Sequence, residues 1–217
     1  MFAITFHEAA HGYVAHFFGD DTALNQGRVS FNPLRHIDPV GTILIPALLL
    51  LSHANFLFGY AKPVPVVFLK LRNPRRDMLW VAAAGPGMNI LLATISAALF
   101  YSVVFLPPEI ASWVAVNLKN SVILNVFLAV FNMLPVLPLD GGRVLLSLLP
   151  TPIAGAFARS ERYGMLLILG LLFLLPMIFE NLGLRANIFS EILAVPTKAI
   201  IRIIFQLVGM GEGFMVD

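Results

Sequence analysis

Four long uncharged runs constrain this chain more than any other feature. Residues 39–61, 78–108, 120–139 and 163–179 each pass without an Asp, Glu, Lys or Arg. A charge at mid-bilayer depth costs a few kcal/mol and a span needs roughly 20 apolar residues, so runs of this kind belong in lipid. Composition agrees, with 59% hydrophobic residues against 12% charged, too apolar for a soluble globule. The second, third and fourth runs are expected to be spanning helices, and residues 1–18 are a fifth candidate. Residues 186–210, with Glu191, Pro196, Lys198 and Arg202 among apolar neighbours, suit an interfacial amphipathic helix or a final span. The expected fold class is an all-α polytopic membrane protein of about four to six transmembrane helices.

Lys62, Lys70, Arg72, Arg75 and Arg76 put segment 60–77 on the cytoplasmic side. Residues 78–106 then run outward, 107–119 lie outside, and 120–148 return, which carries Asp140 toward the cytoplasmic face. The alternation from Val64 to Lys70, with Pro63 and Pro65 tolerated only at an edge, reads as a short extended hairpin. Gly41, Pro46, Ser52, His53, Asn55 and Gly59 interrupt 39–59, which favours a re-entrant segment over a span.

The charge balance of 14 basic against 12 acidic residues is too even for a nucleic-acid partner. Cysteine is absent, so a bound metal must be held by His and carboxylate. A His-Glu pair at positions 7 and 8, where a signal peptide needs an apolar core, argues against such a peptide here.

That pair opens His7-Glu8-Ala9-Ala10-His11, an H-E-x-x-H pattern. At about 100° per residue, a four-residue step leaves the two imidazoles on one helix face, able to share one ion. Glu8 points to the side, where its carboxylate can reach a metal-bound water as general base without ligating. The bland alternative is a pair of helix-face histidines satisfied by neighbouring groups. Catalytic zinc ordinarily takes three protein ligands, and no third follows at close spacing. His16 faces elsewhere on the helix, His36 sits beside Arg35 in a polar loop, and His53 is isolated among apolar residues. Asp140 is better placed, because Pro135 and Pro138 break the helical ladder just before it and Gly141-Gly142-Arg143 follows. Its alternative is a helix-end aspartate that caps the next turn.

Taken together, His7 to His11 and Leu139-Asp140-Gly141, both in apolar segments, resemble the site-2 protease family of intramembrane zinc metalloproteases. Gly27-Arg28-Val29 with Phe31-Asn32-Pro33-Leu34-Arg35-His36-Ile37-Asp38-Pro39 is similar to the stretch after the first motif in the compact branch, which lacks a PDZ or regulatory domain. Gly85-Pro86-Gly87-Met88-Asn89 resembles its G-P-x-x-N element, and Asn132-x-x-Pro135-x-x-Pro138-Leu139-Asp140-Gly141-Gly142-Arg143 its third motif. The likeness covers residues 5 to 150, so 1–150 would be the protease core and 151–217 accessory C-terminal helices. Only six residues precede His7, a shorter lead than is usual in the family, as in an N-terminally shortened chain.

The resemblance implies one Zn2+ ion on His7, His11 and Asp140, with Glu8 activating the water and Asn89 and Asn132 lining the cleft. For both asparagines the alternative is ordinary interhelical hydrogen bonding. It also implies a membrane-associated β-hairpin at 60–70 and a transmembrane protein as substrate. The chain would be an integral protein of the bacterial cell (inner) membrane, its site toward the cytoplasm. A different class remains open: a membrane metal or proton transporter that uses intramembrane His and Asp. Glu8 separates the two, since a carrier needs no non-ligating carboxylate beside the first histidine.

Overall fold

The computed structural model describes residues 1–52, 59, 61–174, 178 and 188–210 of the 217. Every regular element among the described residues is helical. Contacts within the chain cluster into two compact units, Met1–Gly85 and Pro86–Asp217.

The first unit starts with α1 (Phe2–Phe17), whose buried face holds His7, His11, Gly12 and several alanines. Small residues there let neighbours come close: a Cβ on Gly12 would stand 3.0 Å from Val29 and 3.1 Å from Val64. The helix stops at Gly19, whose φ of 104° is open to glycine. That turn returns the Gly19 and Asp20 N–H groups to the His16 and Ala15 carbonyls, both at 2.9 Å. Gly27 (φ 62°) repeats the device after the single turn Thr22–Asn25, sending the Arg28 N–H to the Ala23 carbonyl at 2.9 Å. Residues 64–72 are then stitched back onto α1 and its exit. The Val64 N–H donates to Glu8 at 2.7 Å, the Val67 N–H to Asp20 at 2.6 Å and the Arg72 N–H to the Phe18 carbonyl at 2.9 Å. Burial of Asp20 works to raise its pKa. Hydrogen bonds from Thr22 and Val67 together with the Lys70 charge outweigh that and hold it below the ordinary aspartate value.

Helix α2 (Pro39–Leu51) is capped by Asp38, which accepts from the Val40 and Gly41 N–H groups at 3.0 and 2.7 Å. It opens with a π-helical stretch of 6 residues and continues as an α-helix of 7, about 20 Å in all at about 1.5 Å per residue. This falls short of the roughly 30 Å hydrocarbon core. Residues 53–58 and 60, the rest of the expected re-entrant segment and part of the expected hairpin, lie outside the described residues.

No strand occurs among the described residues, and this corrects the hairpin expected at 60–70. Pro63 and Pro65 carry no N–H for a ladder. The Lys62 N–H goes to the His36 carbonyl at 3.0 Å, and those of Val64 and Val67 go to carboxylates. The apolar alternation therefore marks a segment tied down by side chains.

Helices α3 (Pro74–Leu99, continued by a 3-10 turn Phe100–Phe105) and α4 (Pro108–Asn132) are long and apolar enough to cross a membrane. Only 22% of the apolar window of each is buried, and Trp80, Leu91, Ile95, Trp113, Val116 and Leu124 face outward. A soluble core helix would bury such side chains; these need an apolar surrounding. Residues 108–119, within the stretch expected to lie outside, form the start of α4. Pro108 takes the first helical position and Glu109 the first turn, where proline geometry and negative charge favour a helix start. The charges that end an uncharged run do not end a helix. The other end of the third run also differs, since α4 stops at Asn132 before Pro135 and Pro138.

In the second unit, α4 and the distal half of α3 enclose a core of Ala93, Ala97, Val122 and Val126, completed by Ile204 and Phe205 of α8 (Ile188–Leu207). The Tyr101 hydroxyl donates to the Val208 carbonyl at 2.5 Å just past the end of α8. Within the stretch 186–210, expected as either an interfacial helix or a span, Ile188–Leu207 thus forms a helix packed on α3 and α4. After α6 (Thr151–Arg159), the fourth uncharged run is carried by α7 (Glu161–Leu169) and a π-turn Gly170–Leu174; residues 175–177 and 179 are outside the described set.

Between α4 and α5 (Asp140–Leu148) the chain turns through Met133–Leu139. A Cβ on Gly141 would collide with the Met133 and Leu134 carbonyls, one on Gly142 would stand 2.5 Å from the Leu137 nitrogen, and one on Gly164 would collide with the Leu137 carbonyl. Arg143 adds an ion pair to Glu161 of α7 at 2.9 Å. Asp140 thus opens a helix clamped against its own preceding turn.

Gly141→Ala should overpack this turn and cost about 1–3 kcal/mol, read as a lower thermal unfolding midpoint in detergent; an unchanged midpoint would contradict the close approach. Because the Asp20 pKa is depressed in the folded state, its contribution is present above the ordinary aspartate pKa and fades as pH falls through the lowered one. The stability gap between wild type and Asp20→Asn should therefore be full at neutral pH and shrink on acidification.

Candidate metal centre

His7 and His11 lie one helical turn apart on the buried face of α1 and are 6% and 9% exposed. Their rings meet edge to face with centroids 4.7 Å apart, and the two Nε2 atoms are 3.1 Å apart. Two nitrogens bound tetrahedrally to one zinc at about 2.0–2.1 Å would be about 3.3 Å apart. His11 Nδ1 lies 2.7 Å from the Val81 carbonyl of α3. A carbonyl only accepts, so Nδ1 carries the proton and Nε2 presents its lone pair toward His7.

Gly85 explains why a lone pair can be used there. A Cβ on Gly85 would stand 2.6 Å from His7 Nε2 and from His7 Cε1, and would collide with His11 Nε2. The missing side chain leaves room at the point where the imidazoles converge, and a ligated ion needs that room. Gly87, two residues on, has nothing within 4 Å. The Gly-Pro-Gly motif, open to a plain close-packing reading, thus has one residue that keeps the imidazole nitrogens accessible. The donor set and the cleared space fit zinc.

Glu8 is half-buried, and its Oε2 accepts from the Val64 N–H at 2.7 Å. His16 and His36 each make a hydrogen bond elsewhere. His16 Nδ1 pairs with exposed Asp21 at 2.5 Å, fully buried His36 bonds through Nε2 to the Ser30 carbonyl at 2.8 Å, and His53 lies outside the described residues.

Within the second unit, Asp140 is the first residue of α5 and is half-buried. Asn89 is fully buried and donates through Nδ2 to Asn125 Oδ1 at 2.9 Å, while Asn125 donates to the Ser121 carbonyl at 2.9 Å. Ser96 and Ser121 continue this polar chain between α3 and α4 at 2.8 Å. Asn89 thus makes an interhelical hydrogen bond through its Nδ2. Asn132 donates to the Leu128 carbonyl of its own helix at 3.0 Å, which leaves its Oδ1 as an acceptor at the end of α4.

Sequence reasoning missed the Val81 carbonyl, the Val64 N–H and the Gly85 clearance. The first two are backbone groups and carry no residue signature. Gly85 did carry one, a glycine followed by a proline inside an apolar helix.

Comparison with known proteins bears on this arrangement. Residues 109–177 match the sequence profile of Peptidase family M50. A Bacillus subtilis (strain 168) protein with the provisional name zinc metalloprotease YwhC is 38% identical over 179 residues, 81% of this chain and 78% of the relative. The provisionally named zinc metalloprotease Rip2 of Mycolicibacterium smegmatis (strain ATCC 700084 / mc(2)155) is 27% identical over 79% of this chain and 64% of its own length. Its namesake in Mycobacterium tuberculosis (strain ATCC 25618 / H37Rv) is 28% identical over 81% and 65%. No solved structure matches.

Gly85→Ala should weaken zinc binding about 10–100-fold while Gly87→Ala leaves it unchanged, as measured by competition with a chromogenic chelator. Equal affinities for both variants would show that the cleared space is not a metal position.

Proposed function

Since the chain belongs to peptidase family M50, the site-2 metalloproteases, and is a membrane protein of that family, we propose that it hydrolyses peptide bonds within or near transmembrane segments of other proteins. The observation that carries this reading is the convergence of two buried imidazole nitrogens at 3.1 Å beside Gly85, with Glu8 next in sequence to the first.

His7 and His11 would hold one zinc ion through Nε2, and Asp140 would supply the third ligand through a carboxylate oxygen. When bound, the ion polarises the scissile carbonyl and acidifies its water. Glu8 accepts a proton from the attacking water and later returns it to the leaving amine. Its Oε2 is held by the Val64 N–H, so Oε1 is the atom that takes the proton. A substrate helix hides its carbonyls in its own hydrogen bonds, so it must unwind before attack. Backbone near 61–67, where the residues before Pro63 and Pro65 are biased to extended conformations, is where an unwound strand would pair. Asn132 would offer Oδ1 to that strand. The five basic residues of 60–77 support a site toward the cytoplasmic face, and the match to a Bacillus protein supports a bacterial cell membrane as location.

The test uses the purified full chain, zinc content and cleavage of a model transmembrane substrate. Glu8→Gln should keep zinc and lose about 10²–10⁴-fold in kcat, and Asp140→Ala should lose zinc and cleavage together. Full cleavage by Glu8→Gln contradicts the assigned base; full occupancy in Asp140→Ala removes it as a ligand. Metal flux into vesicles that survives Glu8→Gln would favour the carrier instead.

A further inference from the structure

Arg28 is 9% exposed, and no step so far uses it. Few charged side chains are buried so deeply without a task. Its guanidinium donates through Nη1 to the Arg35 carbonyl at 2.5 Å, and through Nη2 to the Lys62 carbonyl at 2.6 Å and the Pro63 carbonyl at 3.3 Å. It thereby ties the loop after α1 to the segment 62–63. The next residue along is Val64, whose N–H holds Glu8 Oε2 at 2.7 Å. Pro63 and Pro65 stiffen this segment on both sides of Val64. Gly27 at φ 62° and the return of the Arg28 N–H to Ala23 fix where the arginine starts, and the Arg35 guanidinium donates to the Gly27 carbonyl at 2.8 Å. The side chain of Val64 packs above Gly12 of α1, so the amide has little freedom to drift once its carbonyl neighbours are clamped.

We propose that Arg28 is a positioning residue for catalysis: its three-carbonyl clamp fixes the Val64 amide, and that amide aims the Glu8 carboxylate. The proposal rests on Glu8 being the general base. A flexible glutamate at this place would sample many rotamers; one oxygen pinned by a rigid backbone donor leaves the other at a set point. The guanidinium fork matters, because its contacts are divided between Nη1 and Nη2, whereas a lysine offers all three of its donors from one nitrogen.

Three variants, each purified as the full chain and loaded with zinc, test it on the model transmembrane substrate. Arg28→Gln should lower kcat about a hundredfold, with KM and zinc content unchanged. Added guanidinium ion should restore much of the kcat of Arg28→Ala. Val64→Pro, which deletes the donor to Glu8 while leaving the Arg28 fork and its three carbonyls in place, should show the same kcat loss without rescue by guanidinium. If Val64→Pro keeps the wild-type kcat, or if the Arg28 variants lose zinc with kcat per zinc ion unchanged, the clamp is structural and the proposal is wrong. Failure of the underlying reading looks different, because Glu8→Gln would then itself stay active.

Discussion

The structure around the proposed centre depends on two imidazoles being buried with their Nε2 atoms brought together at 3.1 Å. A histidine inside an apolar helix normally satisfies both ring nitrogens. Here the Val81 carbonyl takes the proton of His11 at Nδ1 and a glycine stands where any other residue would fill the converging point. Small residues on the face of α1 follow from that requirement, since α3 and the 62–67 segment must both approach it closely. The polar turn after α1 follows too, because its left-handed glycines and Asp20 hold the returning segment in place.

The proposed base depends on a different kind of constraint. Glu8 is held by a backbone amide that the chain reaches 56 residues later, and that amide is fixed by proline, by packing on Gly12 and by Arg28. The machinery of the first unit is thus mostly backbone geometry, with side chains that lock it. In the second unit the same logic recurs at Asp140. Gly141, Gly142 and Gly164 admit carbonyls so closely that the turn before α5 has one place to lie.

Much of this was legible in the residues. The H-E-x-x-H spacing gave the imidazole pair because helical periodicity is rigid over one turn, and the uncharged runs marked α3 and α4. Their ends were less legible, since lipid exposure is limited by charge whereas helices stop at prolines and caps; α4 therefore takes in Glu109 and Lys119 and stops short of Pro135. The hairpin misled because an apolar alternation is written identically for a ladder strand and for a segment whose amides go to carboxylates. Asn89 carried a family motif, yet its amide goes to Asn125 on the facing helix, a partner that only the packing reveals. Arg28 stood in a recognised motif, and nothing in one sequence could show that its fork grips Lys62 and Pro63.

The central claim is that one zinc ion is held by two imidazoles and a carboxylate, and X-ray absorption at the zinc edge of the purified, zinc-loaded chain tests it most directly. The account predicts one ion per chain, with the outer-shell signature of two imidazole rings and the remaining ligands oxygen; converting the proposed carboxylate by Asp140→His should raise the count to three rings. Three imidazoles in the wild type, or none, would contradict it.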